Sequence, residues 1–176
     1  MLALPVGVST QQDPPLLIGF RPPGIHKVNV DGTSLEQDSF SSVGVVIRDS
    51  KGQVVATLCL LLQSYYSAEL TKVFALEQGV LLAQELQLPQ VIFESDSLAV
   101  IQAINDKALR SNFGHLIRGI LQVCDSFEAY HFKHYSRSFN TVAHELAQYA
   151  RRIGSHKIWK GVAPSFVLSF LHSDLM

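Results

Sequence analysis

The segment Lys27-Val28-Asn29-Val30-Asp31-Gly32-Thr33 decides the fold. Val28 and Val30 alternate with Lys27 and Asn29, the period of two that marks a half-buried strand. The strand runs into Asp31 and Gly32, and an acid before glycine also reads as the opening of a turn. Two further carboxylates, Glu69 and Asp96, stand in equally apolar surroundings on other predicted elements. Together the three acids predict a site built around divalent metal.

Upstream, residues 1–25 hold five of the seven prolines: Pro5, Pro14, Pro15, Pro22 and Pro23. Proline fixes φ and withholds a backbone donor, so this stretch predicts an extended leader. Downstream, residues 35–42 are polar and read as a hairpin loop. Strands follow over 43–48 and 53–62, joined by the turn Asp49-Ser50-Lys51-Gly52. Ser64 is placed to cap a long helix that ends near residue 86, ahead of Pro89. A short apolar strand, Val91-Ile92-Phe93, leads into Glu94-Ser95-Asp96. Helices are predicted over 97–105 and 112–128, a last strand over 131–135, and a helix capped by Asn140 that runs to about 152.

This order, β-β-β-α-β-α-α-β-α, predicts a mixed α/β protein. The expected sheet has five strands, three antiparallel and then two parallel, with helices on both faces. The expected organisation is a leader over 1–25, a domain over 26–154, and a tail over 155–176. The tail holds Trp159, Pro164 and a small apolar helix around Phe166, Val167, Phe170 and Leu171, packed on or beside the domain.

Composition sets the class. The 176 residues are 47% hydrophobic and 16% charged, which suits one globular domain with a real core and excludes a disordered chain. A net charge of −1 argues against a strongly basic surface. Cys59 and Cys124 form neither a metal motif nor a disulfide framework. No apolar run reaches the roughly 18–20 residues of a membrane helix, so no membrane partner is expected. The apolar stretch over 1–8 has no basic residue before it and makes a poor signal peptide. An intracellular monomer, in nucleus or cytoplasm, is the expectation.

Each acid has an alternative reading. Val73, Leu76 and Val80 follow Glu69 by four, seven and eleven positions, which puts Glu69 first on an apolar stripe. It could equally complement the helix N-terminus from an exposed site. Asp96 could be an N-cap. Against that, the carboxyl end of a parallel strand is where open α/β sheets bind ligands. Without metal, like charges this close should raise the pKa of at least one carboxylate.

The motifs Val-Asn-Val-Asp31-Gly, Gly44-Val-Val-Ile-Arg-Asp-Ser-Lys-Gly52, Ser67-Ala-Glu69-Leu, Phe-Glu-Ser-Asp96-Ser and Arg137-Ser-Phe-Asn140-Thr-Val-Ala-His144-Glu-Leu-Ala resemble the type 1 ribonuclease H fold. They look most like its plant branch, related to non-LTR retroelement reverse transcriptases. The resemblance covers roughly residues 20–175. It implies cleavage of the RNA strand of RNA–DNA hybrids with two metal ions, Mg²⁺ or Mn²⁺. It implies Asp31 as the bridging ligand, Glu69 and Asp96 as further ligands, and His144 where the family carries a fourth acid. It also implies Ser64, Arg137 and Asn140 as nucleic-acid contacts. An imidazole at position 144 suits Mn²⁺ better than Mg²⁺. The 112–128 region carries only Arg118 as a cation, so a basic handle for hybrid is missing there.

Three functions remain open from sequence. A hybrid-cleaving nuclease is favoured by the three acids. A catalytically weakened, retroelement-derived nucleic-acid-binding module is favoured by His144 and the near-zero charge. A protein-interaction domain that merely keeps the fold is the third.

Overall fold

The computed structural model describes residues 24–175. Most of the leader expected over 1–25 therefore lies outside the described residues, while Ile25 already belongs to the first strand. The strands are β1 (Ile25–Thr33), β2 (Ser42–Arg48), β3 (Val54–Leu61), β4 (Gln90–Ser95), β5 (Ala129–His134) and β6 (Lys157–Lys160). The helices are α1 (Ala68–Glu85), α2 (Leu98–Asn105), α3 (Gly114–Cys124) and α4 (Thr141–Ile153).

The strands form one mixed sheet in the order β5-β4-β1-β2-β3-β6. The β1-β2-β3 meander is antiparallel, and β4 and β5 add in parallel beside β1, as expected. The sheet has six strands rather than five. Lys157–Lys160 pairs antiparallel with β3 along the edge that the meander leaves open. Beyond it the tail forms only 3₁₀ turns, at Ser165–Val167 and Ser173–Leu175, in place of the expected helix. Gly161, at φ 76°, breaks the chain, and Pro164 precedes a stretch too short to offset the cost of helix nucleation.

The sheet alternation sorts residues between two cores. Val28, Val30, Val45 and Leu58 pack with α1, α2 and α3 on one face. Val46 and Cys59 pack with Val142, Leu146 and Ala150 of α4 and with Val167 of the tail on the other. With a helix over each face, every residue of β2 is buried. Cys59 and Cys124 are buried and unpaired, and burial pushes the Cys124 thiol up to about 12, so it is inert at neutral pH. Among the described residues no helix is long and apolar enough to cross a membrane.

The α4 face also carries a buried polar chain. Lys27 pairs with Glu94 at 2.9 Å, and the Asn29 amide donates to Glu94 at 2.8 Å. Arg48 donates to the Asn29 carbonyl oxygen at 3.1 Å and reaches Asp174 of the tail at 3.5 Å. Asp174 then accepts the N–H groups of Thr141 and Val142, at 2.9 and 2.8 Å. A carboxylate on the otherwise unsatisfied amides of a first helical turn is a favourable charge placement. The tail thus seats the N-terminus of α4.

Helix α4 lies close to β2 because of Gly44. A Cβ at that position would overlap the carbonyl oxygen of Ala143 and stand 2.7 Å from the amide nitrogen of Ala147. Both are helix backbone and cannot rotate away. Gly44→Ala is therefore expected to cost on the order of 3 kcal/mol, the upper end for overpacking. Urea denaturation followed by circular dichroism measures it. A loss below about 1 kcal/mol would mean that α4 lifts freely from the sheet.

Candidate active site

The site forms where β1 and β4 end side by side. Val30 pairs with Ser95, so the next residues, Asp31 and Asp96, leave the parallel pair together. Both side chains are largely buried, with 5% and 6% of their surface exposed. Ser97, not Asp96, caps α2 by accepting the N–H of Val100. The Asp96 carboxylate is left for the site.

Both carboxylates converge on Lys72, in the second turn of α1. Its Nζ donates to Asp31 Oδ1 at 2.9 Å and makes a very short contact with Asp96 Oδ1. The other carboxylate oxygen of Asp31 lies 2.9 Å from Nδ1 of His144 on α4. Helices from opposite faces of the sheet thus meet at one carboxylate. The closest approaches that permit this are glycines. Gly44 pairs with Asp31 across β1-β2 beneath α4, and Gly79 brings α1 down on Val28 and Val30.

Electrostatics follow from these contacts. Burial pushes the Asp31 pKa upward, but the His144 bond and the Lys72 charge and bond outweigh it, and the carboxyl lies below its ordinary 3.8. The upward shift expected from crowded like charges is therefore reversed at Asp31, because a cation sits among them. Burial pushes Lys72 down, and Asp31 and Asp96 together hold it above its ordinary value. The Asp31 bond raises His144 above 6.5 against the opposing effect of burial.

Glu69 does not join this cluster as expected. It is exposed on the first turn of α1, ahead of the buried Val73, Leu76 and Val80 on the same side of the helix. The buried part of the stripe begins one turn later, at Val73, although Glu69 lies within α1, which starts at Ala68 and is capped by Ser67, not Ser64. Glu69 instead precedes Lys72 by three positions, as a neighbour on the helix surface. Among the described residues no three His, Cys, Asp or Glu side chains are gathered to hold a metal. The chemistry of the Asp31–Asp96 pair nevertheless fits a hard cation: two anionic oxygens already converge on an ammonium that stands in for one.

The expected nucleic-acid contacts separate. Ser64 and Arg137 are exposed, so both could reach a ligand. Asn140 is buried, and its amide donates to the carbonyl of Val30 at 2.9 Å. It occupies the cap position of α4 but makes no side-chain cap bond. The bond to Val30 ties α4 to β1, and the side chain lies 2% exposed beneath the surface.

Sequence reasoning passed over Lys72, Gln148 and Arg152. Gln148 lies 3.4 Å from the other ring nitrogen of His144 and lines an open groove of about 700 Å³ with Gln37, Phe40, Arg151 and Arg152. Arg151 pairs with Asp38, and Arg152 is exposed. The positions 144, 148 and 152 recur every four residues, a helical stripe that was readable once His144 was singled out.

A family model described as reverse transcriptase-like matches residues 29–150. No curated protein matches the chain. Among solved structures, ribonuclease H1 of the halophilic archaeon Halobacterium salinarum aligns with a TM-score of 0.66 at 21% identity, over 74% of this chain and 99% of that one. The LC11 ribonuclease H1 isolated from compost, solved with an RNA/DNA hybrid, aligns with a TM-score of 0.66 at 18% identity, over 73% and 98%. The foamy viral protease–reverse transcriptase with an RNA/DNA hybrid aligns with a TM-score of 0.62 at 17% identity, over 83% of this chain and 22% of that one.

The raised pKa of His144 has a signed consequence for stability. Its protonated form is favoured by folding, so its contribution is full below the ordinary 6.5 and is lost as pH rises through the raised folded value. Asp31 is ionised throughout that window, since its pKa lies below 3.8. Denaturation in chelator, from about pH 5.5 to about pH 9, should show wild type losing its advantage over His144→Gln as pH rises. A constant difference across that range would refute the ion pair.

Proposed function

Because the chain belongs to the reverse transcriptase-like family and has the fold of the ribonuclease H1 enzymes, we propose that it is a metal-dependent endonuclease for the RNA strand of RNA–DNA hybrids. The observation that carries this reading is the convergence of Asp31 and Asp96 on one cation at the end of the β1-β4 pair, with His144 on the free oxygen of Asp31. Asp31 and Asp96 would hold the ion, Mg²⁺ or Mn²⁺, with Glu69 as a further oxygen donor from α1. When bound, such ions lower the pKa of an attacking water and stabilise the leaving oxygen, commonly as a pair.

The chain's own residues do the rest. His144 fixes the orientation of the Asp31 carboxylate and, when protonated, keeps it ionised. Asn140 anchors the first turn of α4 to β1 and so holds His144 in place. Exposed Arg152, with Gln148, offers a sequence-independent contact for a phosphate backbone along the groove that both line, Gln148 being the neighbour of His144. Hybrid selectivity requires a reading of 2′-hydroxyls, the groups that separate RNA from DNA at one position.

Lys72 favours a second reading: a nucleic-acid-binding module without turnover, whose acids are already neutralised. Cleavage of a labelled RNA–DNA duplex in Mg²⁺ and in Mn²⁺, beside double-stranded RNA and double-stranded DNA, separates the two. The nuclease reading expects hybrid-specific cleavage that is better in Mn²⁺, lost in Asp31→Asn and raised in Mg²⁺ by His144→Asp. Binding of hybrid without cleavage by any of these proteins would leave the module.

The groove makes its own prediction. Arg152→Ala should weaken hybrid binding several-fold and reduce the slope of log affinity against log salt by roughly one, the signature of a single lost phosphate contact. An unchanged slope would place the nucleic acid elsewhere.

A further inference from the structure

Lys72 is the least expected member of the site. Its side chain is 22% exposed, and it leaves α1 on a long flexible stem to place its ammonium between two carboxylates, one on β1 and one just past the end of β4. These same two carboxylates are the ones the nuclease reading assigns to metal. An ammonium has three donors and one positive charge, and here it meets hard oxygens that a divalent ion would also seek. Both cations cannot share one point between Asp31 and Asp96.

Resting on that reading, we infer that Lys72 is a tethered competitor for the divalent cation: its ammonium fills the metal seat in the free protein and must swing out before metal binds. The chain is built for the exchange. The stem of lysine has four rotatable carbons, and its partly exposed side gives the ammonium a path to water. His144 holds the far oxygen of Asp31 by a contact that does not involve Lys72, so the carboxylate keeps its orientation when the ammonium leaves. The protein then needs no metal to fold with these acids buried, and it binds metal weakly until Lys72 is displaced.

Calorimetric titration of Mn²⁺ into wild type, Lys72→Met and Lys72→Arg tests this without any activity measurement. Lys72→Met keeps most of the apolar stem and removes the charge. It should bind Mn²⁺ at least ~10-fold tighter than wild type, the order expected from removing one unit charge at hydrogen-bond distance from a cation seat. Lys72→Arg keeps the charge and should remain as weak as wild type. In chelator, Lys72→Met should melt below wild type, and Mn²⁺ should restore it, since a ligand stabilises the state it binds. Should Lys72→Met fail to fold, wild type alone suffices. The lysine ammonium resonance of Lys72 should be sharp and protected without metal, and lost as Mg²⁺ is added.

Equal Mn²⁺ affinity in wild type and Lys72→Met would overturn the inference, as would Mg²⁺ binding that leaves the Lys72 resonance unmoved. Absence of metal binding by every variant would overturn both the inference and the nuclease reading. Tight Mn²⁺ binding by Lys72→Met with no hybrid cleavage by any variant would sustain the inference and reject the nuclease.

Discussion

A buried carboxylate at the end of a central strand is the constraint on which this structure depends. Asp31 is nearly enclosed, and an unpaired charge there would cost several kcal/mol. Lys72 and His144 each take one of its oxygens, and they come from helices on opposite faces of the sheet. Meeting at one side chain requires both helices to sit close to the strands. Gly44 under α4 and Gly79 in α1 supply that closeness, since a Cβ at either would strike the opposing element. The two cores, the glycines and the charge pairs therefore answer one requirement.

The polar chain from Lys27 through Glu94, Asn29 and Arg48 to Asp174 serves the same end from below. Burying it has a desolvation cost, offset because each group meets a partner, and removing one member of such a buried pair typically costs roughly 3–5 kcal/mol. Its last link, Asp174, caps the first turn of α4, the turn that also carries Asn140 and His144. The tail, distant in sequence, so becomes part of the scaffold of the site. This explains why a segment with only 3₁₀ turns holds a carboxylate that is 3% exposed.

Charge at the site is balanced from within the chain. A near-neutral protein has no large field with which to draw in a polyanion. Among its exposed cations, Arg137 lies near His144, and Arg152 lies on the same helix as His144, two turns further on. Exposed basic residues thus lie on α4 and just ahead of it, whereas the 112–128 region has only Arg118.

What the sequence determined by itself was local. Period-two alternation marked the first strand, apolar runs between turn residues marked the other longer strands, stripe and cap residues marked α1 and α4, and the element order was enough for the mixed sheet with Asp31 and Asp96 at neighbouring strand ends. These features repeat over a few residues, so a short window contains them. The tertiary structure alone decided the rest. Strand β6 is four residues long and mostly exposed, and it exists only because β3, about a hundred positions earlier, offers an open edge. Ser67 and Ser64 are both competent caps by residue type, and the folded chain uses Ser67, leaving Glu69 exposed on the first turn. Asn140 looked like a cap and became a tether because the fold sets the Val30 carbonyl of β1 within reach of its amide. Lys72 passed unremarked in the sequence, because nothing in its spacing along α1 sets it apart. Its partners lie 41 and 24 positions away, and only the folded sheet brings them to one ammonium.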